Sequence, residues 1–276
     1  MELNDLQILQ EEIFCLKFEL EALANVSIRQ ESERWVPGFI NQITEHSHLN
    51  RYKLACNYSK NKKILDIACG VGKGAYLLAT LGEADFVTGG DIEEEAIRYA
   101  NHRNKSSNVK FCVENAETFR DSNAFDLIVS FETIEHLNNY HVFLLNIQTA
   151  MKMNGIFIVS TPISHLPINN SPSNPYHIQE WGFDAFQSLL KKYFSIEKVF
   201  VQLYQNAFLN EKINVKKSSK LLNKVLSYRY KNRSSNIEHW NSHSNYSIIE
   251  EYTNQYDINK LGKDYLGYQI VICKLK

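Results

Sequence analysis

The sequence has few cysteines, few prolines and no long apolar run. Neither a disulfide framework nor a zinc site is expected, because no C-x-x-C pair joins its five scattered cysteines: Cys15, Cys56, Cys69, Cys112 and Cys273. No stretch approaches the ~20 apolar residues of a membrane helix. The N-terminal MELNDLQILQEE also lacks a basic segment leading into an apolar one. We therefore expect a cytoplasmic protein that is neither secreted nor membrane-spanning.

An excess of charge of either sign is also missing. Thirty Lys plus Arg oppose thirty-one Asp plus Glu, for a formal net charge of -1. The chain as a whole therefore has no electrostatic reason to bind nucleic acid or an anionic membrane. With 276 residues, 44% of them hydrophobic, it can bury one substantial core. We predict an N-terminal helical extension over 1–60 and one catalytic domain over 61–276, with a loop at 161–180 and an insertion at 205–263.

The first helix carries one apolar seam. Leucine or isoleucine recurs with alternating spacings of three and four, which is heptad spacing, at Leu6, Leu9, Ile13, Leu16, Leu20 and Leu23. The seam is short for an independent coiled coil. Pairing of two chains and packing of the helix on its own domain both remain open. Pro37 and Gly38 then interrupt, and a second helix is predicted from Phe39 to Tyr58.

From residue 62 onward, buried strands alternate with helices. Strands are predicted at 62–68, 85–91, 108–114, 125–131 and 155–161, with helices between most of them. This alternation predicts an α/β fold with a doubly wound, mostly parallel sheet. SIEKVFVQLY and the C-terminal YLGYQIVICKL complete seven strands and are expected to form an antiparallel pair.

Two polar segments interrupt this pattern. Four of the five prolines fall within TPISHLPINNSPSNPYH, which predicts an irregular loop long enough to cover a site. Between the last two strands, Lys212 to Arg233 concentrates basic residues. This run is interpreted either as a solvated face or as a basic lid for a phosphorylated substrate.

The segment ILDIACGVGKG contains the strongest chemical signal. An acid ends a buried strand, a glycine-containing turn follows, and a helix begins. Gly70 and Gly72 can adopt positive φ without a Cβ, so a nucleoside is expected to lie close to the turn. With Ala75 they also satisfy the loose G-x-G-x-x-A dinucleotide pattern. Asp66 favours a cofactor with a cationic amino acid tail, because its carboxylate would repel a pyrophosphate.

Further candidate cofactor contacts follow the next two strands. Asp91 ends the second strand, where a carboxylate can accept hydrogen bonds from ribose hydroxyls or cap the following helix. Asn115 and Ala116 follow the third strand. The amide could bond an adenine edge, although Asn is also a common turn residue.

In order and spacing, ILDIACGVGKG, GGDIE, ENAE and FDLIVSFETIEHL resemble class I S-adenosylmethionine-dependent methyltransferases over about residues 35–200. A narrower resemblance, through ERWVPG, EHSHLNRY, STP and NPYHIQEW, is to a bacterial subgroup associated with surface-polysaccharide and sugar modification. The resemblance implies a Rossmann-like methyltransferase fold and S-adenosylmethionine as cofactor. Two departures are Ala68, where a glycine is usual, and Asn115, where Asp is common.

The resemblance also assigns roles to residues along the cofactor. It implies that the methionine and ribose side of the cofactor is lined by Asp66, Ala68, Gly70 and Gly72. Arg51 would hold the carboxylate of the cofactor. The ribose and adenine would contact Asp91 and Ile92, with Asn115 and Ala116 at the adenine. Phe131 and Glu132 would lie beneath the methionine part.

Methyl transfer to a hydroxyl needs a base, whereas an amine needs little beyond positioning. His136 falls at the carboxyl edge of the predicted sheet, where it could accept a proton or only cap a turn. His177 and Glu180, in the proline-rich loop, could supply the base or orient a sugar. Tyr176 and Trp181 could stack on a sugar ring or fasten the loop. His46 and His48 are too few for a metal site, so no metal is expected.

The sequence therefore predicts methyl transfer to a small polar acceptor, preferably a hydroxyl of a sugar or sugar nucleotide in surface-polysaccharide biosynthesis. The alternative acceptors are an amine, a carboxylate or a phosphorylated small molecule. Two other classes compete with this prediction. They are a nicotinamide-dependent oxidoreductase, disfavoured by Asp66, and a non-catalytic nucleoside-binding protein that acts as a coiled-coil partner. A homodimer through the N-terminal helix is one of the two arrangements that the heptad seam allows.

Overall fold

The computed structural model describes residues 3–26, 34–40, 42–205, 248–254, 257–258 and 265–276. The helices are α1 Leu3–Ala24, α2 Gln42–Cys56, α3 Lys73–Thr80, α4 Glu94–Arg103, α5 Tyr140–Ala150 and α6 Phe183–Leu190. The first five strands are β1 Lys63–Ile67, β2 Phe86–Asp91, β3 Val109–Val113, β4 Phe125–Phe131 and β5 Met151–Pro162. The others are β6 Ile168–Asn169, β7 Glu180–Trp181, β8 Phe194–Gln205, β9 Glu250–Glu251 and β10 Tyr265–Leu275.

One eight-stranded sheet has the order β3-β2-β1-β4-β5-β10-β8-β9. The strands from β1 to β5 run parallel, and β10 pairs antiparallel with both β5 and β8. The predicted doubly wound α/β fold and its final antiparallel pair are confirmed. The sheet has one strand more than the seven predicted, because the two-residue β9 pairs with β8.

Strand β1 has the continuous burial of a central parallel strand. Four of its five residues are buried, because helices cover both faces of the sheet. Ile64 packs in the core beneath α2 and α3, whereas Leu65 packs in the core beneath α5 and α6. The strand order reverses between β1 and β4, and this reversal opens a crevice at their carboxyl ends.

Helix α1 packs on the domain through the face opposite its apolar seam. Cys15 and Phe18 join a cluster with Tyr99 of α4, and Glu12 and Glu19 both pair with Arg103. The predicted seam points away from this contact, and large exposed fractions mark Leu6 (44%), Leu9 (47%), Ile13 (51%) and Leu20 (60%). The helix therefore packs on its own domain while four of the six seam residues stay exposed.

The prediction that the proline-rich segment is irregular is wrong in part. Its start belongs to β5, and Ile168 and Asn169 form a short antiparallel pair with Trp181 and Glu180. This pairing folds the segment back on itself. The domain boundary at residue 60 stays a prediction. Helix α2, which lies before this boundary, packs with α3 in one core.

Most of the predicted insertion at 205–263, including the basic run from Lys212 to Arg233, lies outside the described residues. Within the described part of the chain, no helix combines the length and apolar character that crossing a membrane requires.

Candidate active site

The turn after β1 has left-handed backbone at three positions, with φ of +63° at Ala68, +55° at Gly70 and +76° at Gly72. A left-handed alanine is strained, which explains why glycine is usual at position 68. A Cβ added at Gly70 would meet nothing within 4 Å, whereas one at Gly72 would collide with the Phe111 ring. The open side of the turn is thus at Gly70. At Gly72 the missing Cβ makes room for the core, and its contact with a ligand stays a prediction.

Asp66 lies fully buried at the end of β1. The Tyr52 hydroxyl, on α2, donates to its carboxylate and lies 3.1 Å from each oxygen. Burial raises the pKa of Asp66 to about 7, against the lowering effect of the Tyr52 hydrogen bond and with a further rise from the negative charge of Asp91. A cation placed beside this carboxyl group would therefore favour its ionised form.

Asp91 bonds both the turn that follows β1 and the turn that follows β2, at the carboxyl edge of the sheet. Its Oδ2 accepts from the Gly70 backbone N–H at 2.7 Å, and its Oδ1 accepts from the Glu93 backbone N–H at 3.0 Å. The second bond is an Asx turn before α4, whose N-cap residue is Glu93, so Asp91 does not cap the helix itself. Each carboxylate oxygen can accept more than one hydrogen bond, so these two bonds do not preclude a ribose contact.

The candidate adenine residues follow β2 and β3. Ile92 is 63% exposed, which leaves an apolar surface beside Asp91. The Asn115 side-chain oxygen accepts from the Glu117 backbone N–H at 2.8 Å, the local bond of a turn residue. Ala116 is buried in the core beneath α5. The structure thus gives Asn115 its turn role and leaves Ile92 as an exposed apolar neighbour.

Arg51 is a fully buried cation on α2. Its Nη1 donates to Gln202 Oε1 at 2.8 Å, and its guanidinium lies 4.5 Å from the centre of the Tyr268 ring. Among the described residues, its Nε and Nη2 have no hydrogen-bond partner. A buried guanidinium with two unused donors is costly unless a ligand pairs with it.

Phe131 and Glu132 end β4 beside β1. The Phe131 ring packs edge-on against Tyr52, with 5.0 Å between ring centres. Glu132 has a φ of +53° and accepts a 2.6 Å hydrogen bond from the Ser160 hydroxyl. Left-handed backbone at a residue with a side chain is strained, and such strain clusters at functional sites. Ala68 and Glu132 place it at the ends of two neighbouring central strands.

Glu135, His136 and His177 form a cluster in which one ligand-capable atom from each residue lies within 4.8 Å of the others. A one-turn 3-10 helix, Ile134–His136, carries the first two. The proline-rich loop supplies the third and is fastened to this turn, because the Ile178 backbone N–H donates to the Glu135 carbonyl at 2.7 Å. The rings of His136 and His177 meet edge-on at 4.8 Å.

The two histidines are oriented by partners on their outer sides. His136 Nδ1 lies 2.9 Å from the Tyr176 carbonyl oxygen, and His177 Nδ1 lies 2.6 Å from Glu180 Oε1. The structure therefore brings together all three candidate catalytic residues. Stacking by Trp181 on a sugar is not what the structure shows, because Trp181 is 2% exposed and packs on Tyr140. It fastens the loop, whereas Tyr176 is 52% exposed.

Neither Tyr52 nor Glu135 could be recognised from the sequence. Tyr52 bonds Asp66, and Glu135 bonds Thr161. Both contacts depend on how separate elements pack, which neither spacing nor periodicity reveals. Glu135 is fully buried. Burial, reinforced by the negative charge of Glu132, raises its pKa well above the usual range, although the Thr161 hydrogen bond and the positive charge of Arg51 lower it. The only sequence signal was the acid in TIEHL, directly after a buried strand.

Comparison with known proteins shows the family to which the chain belongs. Residues 58–227 match the family described as methyltransferase domain. The chain belongs to this methyltransferase-domain family. S-adenosylmethionine is accordingly the cofactor of the domain, and the glycine turn and acids of the predicted motif fall within the matched region.

Individual relatives agree with the family at lower coverage. A probable S-adenosylmethionine-dependent methyltransferase of Mycolicibacterium smegmatis is 27% identical over 58% of this chain and 62% of its own length. A ubiquinone biosynthesis O-methyltransferase of Pelagibacter ubique is 33% identical over 37% of this chain and 42% of its own. The chain thus spans about half the length of the curated relatives that it matches.

The solved structure of a Haemonchus contortus phosphoethanolamine N-methyltransferase in complex with S-adenosyl-L-methionine is similar in fold. Its TM-score is 0.52 at 16% identity, over 82% of this chain and 52% of that one. At this identity the likeness concerns the fold alone. It agrees with the doubly wound sheet and says nothing about a methyl acceptor.

Proposed function

We propose that the protein transfers the methyl group of S-adenosylmethionine to a hydroxyl group of a small polar acceptor, a sugar or sugar nucleotide. The observation that carries this proposal is the cluster of Glu135, His136 and His177 at the carboxyl edge of β4. In a doubly wound sheet, ligands bind at this edge, where the strand order reverses.

The residues along the crevice fit the cofactor. S-adenosylmethionine, when bound, supplies a methyl group on a positively charged sulfur. The buried Asp66 carboxyl group would pair with its ammonium group, and the two unused donors of Arg51 would bind its carboxylate. The open side of the turn at Gly70 would face the nucleoside, with Asp91 at the ribose and Ile92 with Asn115 and Ala116 at the adenine. Phe131 and Glu132 would lie beneath the methionine part.

The histidine cluster favours a hydroxyl over an amine acceptor. A neutral amine already carries the lone pair that attacks the methyl group, whereas a hydroxyl must lose its proton. Tyr176 and Glu180 accept hydrogen bonds at the two Nδ1 atoms, so the lone pairs lie on the Nε2 atoms. That of His177 is 2.9 Å from Asn174 Nδ2, a contact that an approaching acceptor would replace.

A sugar acceptor in surface-polysaccharide biosynthesis, reached in the cytoplasm, is the finer part of the proposal. Its support is the likeness of ERWVPG, EHSHLNRY, STP and NPYHIQEW to that subgroup, together with a polar loop that covers the cluster. The exposed ring of Tyr176 is the aromatic surface available to a sugar, because Trp181 is occupied in the core.

Calorimetric titration with S-adenosylmethionine, S-adenosylhomocysteine and NAD is the first test. Micromolar binding of the first two alone supports the proposal, and methyl transfer to a panel of sugar nucleotides, catechols and amines then identifies the acceptor. Binding of NAD, or of none of the three, would contradict the proposed activity. Turnover with amines alone would reject the hydroxyl acceptor.

The exposed heptad face of α1 is proposed to pair two copies of the chain. Burying these side chains against their counterparts would remove apolar surface from water. We expect a dimer by sedimentation equilibrium, and a monomer when Leu9 and Ile13 are both replaced by Lys. Met153, which is 84% exposed on β5, provides the matched control, because Met153→Lys should leave the dimer intact. A monomeric wild-type protein would refute the pairing.

A further inference from the structure

The cluster of Glu135, His136 and His177 has the geometry of a set of metal ligands, although no metal was expected from the sequence. One ligand atom from each residue lies within 4.8 Å of the other two. Backbone contacts fix the arrangement, because the Ile178 and Gln179 N–H groups both donate to the Glu135 carbonyl oxygen. Backbone bonds between the loop and the turn, together with the edge-on contact of the two imidazole rings, therefore hold the three side chains together.

The outer hydrogen bonds prepare both histidines to bind a cation. A backbone carbonyl can only accept, so the Tyr176 oxygen requires the proton of His136 on Nδ1. Glu180 places the proton of His177 on Nδ1 in the same way. In both rings Nε2 keeps its lone pair, which is the usual arrangement around metal-bound histidines. His177 Nε2 lies 2.9 Å from Asn174 Nδ2, a contact that a cation would replace.

The acidic groups around Glu135 also favour a bound cation. Glu135 Oε2 accepts from the Thr161 hydroxyl at 3.1 Å, but its Oε1 is buried and has no hydrogen-bond partner within the described ranges. Glu132 adds a second negative charge nearby, whereas Arg51 is the cation that acts on Glu135. A buried carboxylate oxygen without a partner is costly, and a bound cation would remove that cost.

We propose that Glu135, His136 and His177 bind one divalent transition-metal cation, such as Zn²⁺ or Mn²⁺, that holds the hydroxyl oxygen of the methyl acceptor. Two imidazoles and one carboxylate suit such cations and leave coordination positions open for an acceptor. The cation lowers the pKa of the hydroxyl, whose proton passes to solvent. The oxygen–carbon bond then forms as the sulfur–carbon bond breaks. This role rests on the proposed function.

Titration of chelator-treated protein with Co²⁺ tests the site without reference to activity. We expect one Co²⁺ per chain, with visible absorption bands typical of mixed nitrogen and oxygen ligands. His177→Ala should lower the affinity at least ~10-fold. His141 is an exposed histidine bonded to the Tyr193 hydroxyl, so His141→Ala is the matched control and should bind as the wild type does. Calorimetry with S-adenosylmethionine verifies that each variant is folded.

Failure of this inference can be told apart from failure of the proposed function. Wild-type Co²⁺ affinity in His177→Ala, or full methyl transfer in the presence of a chelator, would overturn the metal site and leave the methyltransferase assignment intact. One Co²⁺ bound through His177, with no transfer to any hydroxyl, would instead refute the proposed acceptor class and retain the site.

Discussion

Asp66→Asn is expected to weaken the binding of S-adenosylmethionine on the order of a hundredfold, the cost of removing one partner from a buried charge pair. Asn has nearly the same size and keeps an oxygen that can accept from Tyr52, whose hydroxyl lies 3.1 Å from each carboxylate oxygen. What it loses is the negative charge proposed to face the ammonium group of the cofactor. Calorimetric titration of both proteins at pH 7 measures the difference.

The same carboxyl group predicts how affinity changes with pH. Burial raises the pKa of Asp66 to about 7, and only the ionised form attracts an ammonium group. About a tenth of the free protein is ionised at pH 6 and about half at pH 7. Wild-type affinity should therefore rise about fivefold over this interval, with a proton released on binding. Both pH values lie below the pKa of a typical α-amino group, which stays charged.

Two controls make this result interpretable. Asp66→Asn should show no such rise in affinity between pH 6 and 7. Asp126 lies at the opposite end of β4, where it pairs with Lys152, so Asp126→Asn should bind the cofactor as the wild type does. If Asp66→Asn binds S-adenosylmethionine with wild-type affinity, Asp66 does not contact the ammonium group.

The sequence predicted the parts of this protein that depend on local signals. Buried strands alternating with helices predicted a doubly wound, mostly parallel sheet, because each helix must return the chain to a parallel neighbour. The acid and the glycines of ILDIACGVGKG predicted the turn at the strand reversal. All three glycine-turn positions with positive φ, including Ala68, fall within that motif.

Roles that depend on long-range contacts were beyond the sequence. Gly72 resembles a ligand-facing glycine, but the Phe111 ring fills the space where its Cβ would lie, and nothing in the motif distinguishes the two reasons. Glu135 lies beside His136 in an unremarkable TIEHL segment. It is fully buried, and the proline-rich loop that folds over the turn donates backbone hydrogen bonds to its carbonyl oxygen.

At the other end of the crevice, His136→Ala is expected to lower kcat for a hydroxyl acceptor by about 10²–10⁴-fold, the usual contribution of a group that assists proton removal. Its Nε2 would meet either the hydroxyl proton or the cation that holds the oxygen, so both arrangements predict the loss. Cofactor affinity should not change, because the contacts proposed for S-adenosylmethionine lie at Asp66, Gly70 and Arg51. Steady-state kinetics at saturating cofactor measure the effect, with His141→Ala as the control.

The size of this loss should depend on the acidity of the acceptor. An alcohol with a high pKa needs help to lose its proton, whereas a hydroxyl that ionises near neutral pH needs little. The penalty of His136→Ala should therefore shrink as acceptors become more acidic, and a phenol with electron-withdrawing groups should be methylated by the variant at close to the wild-type rate. An equal loss for all acceptors would mean that His136 orients the acceptor without assisting deprotonation. Unchanged turnover for every acceptor would remove His136 from the catalytic machinery altogether.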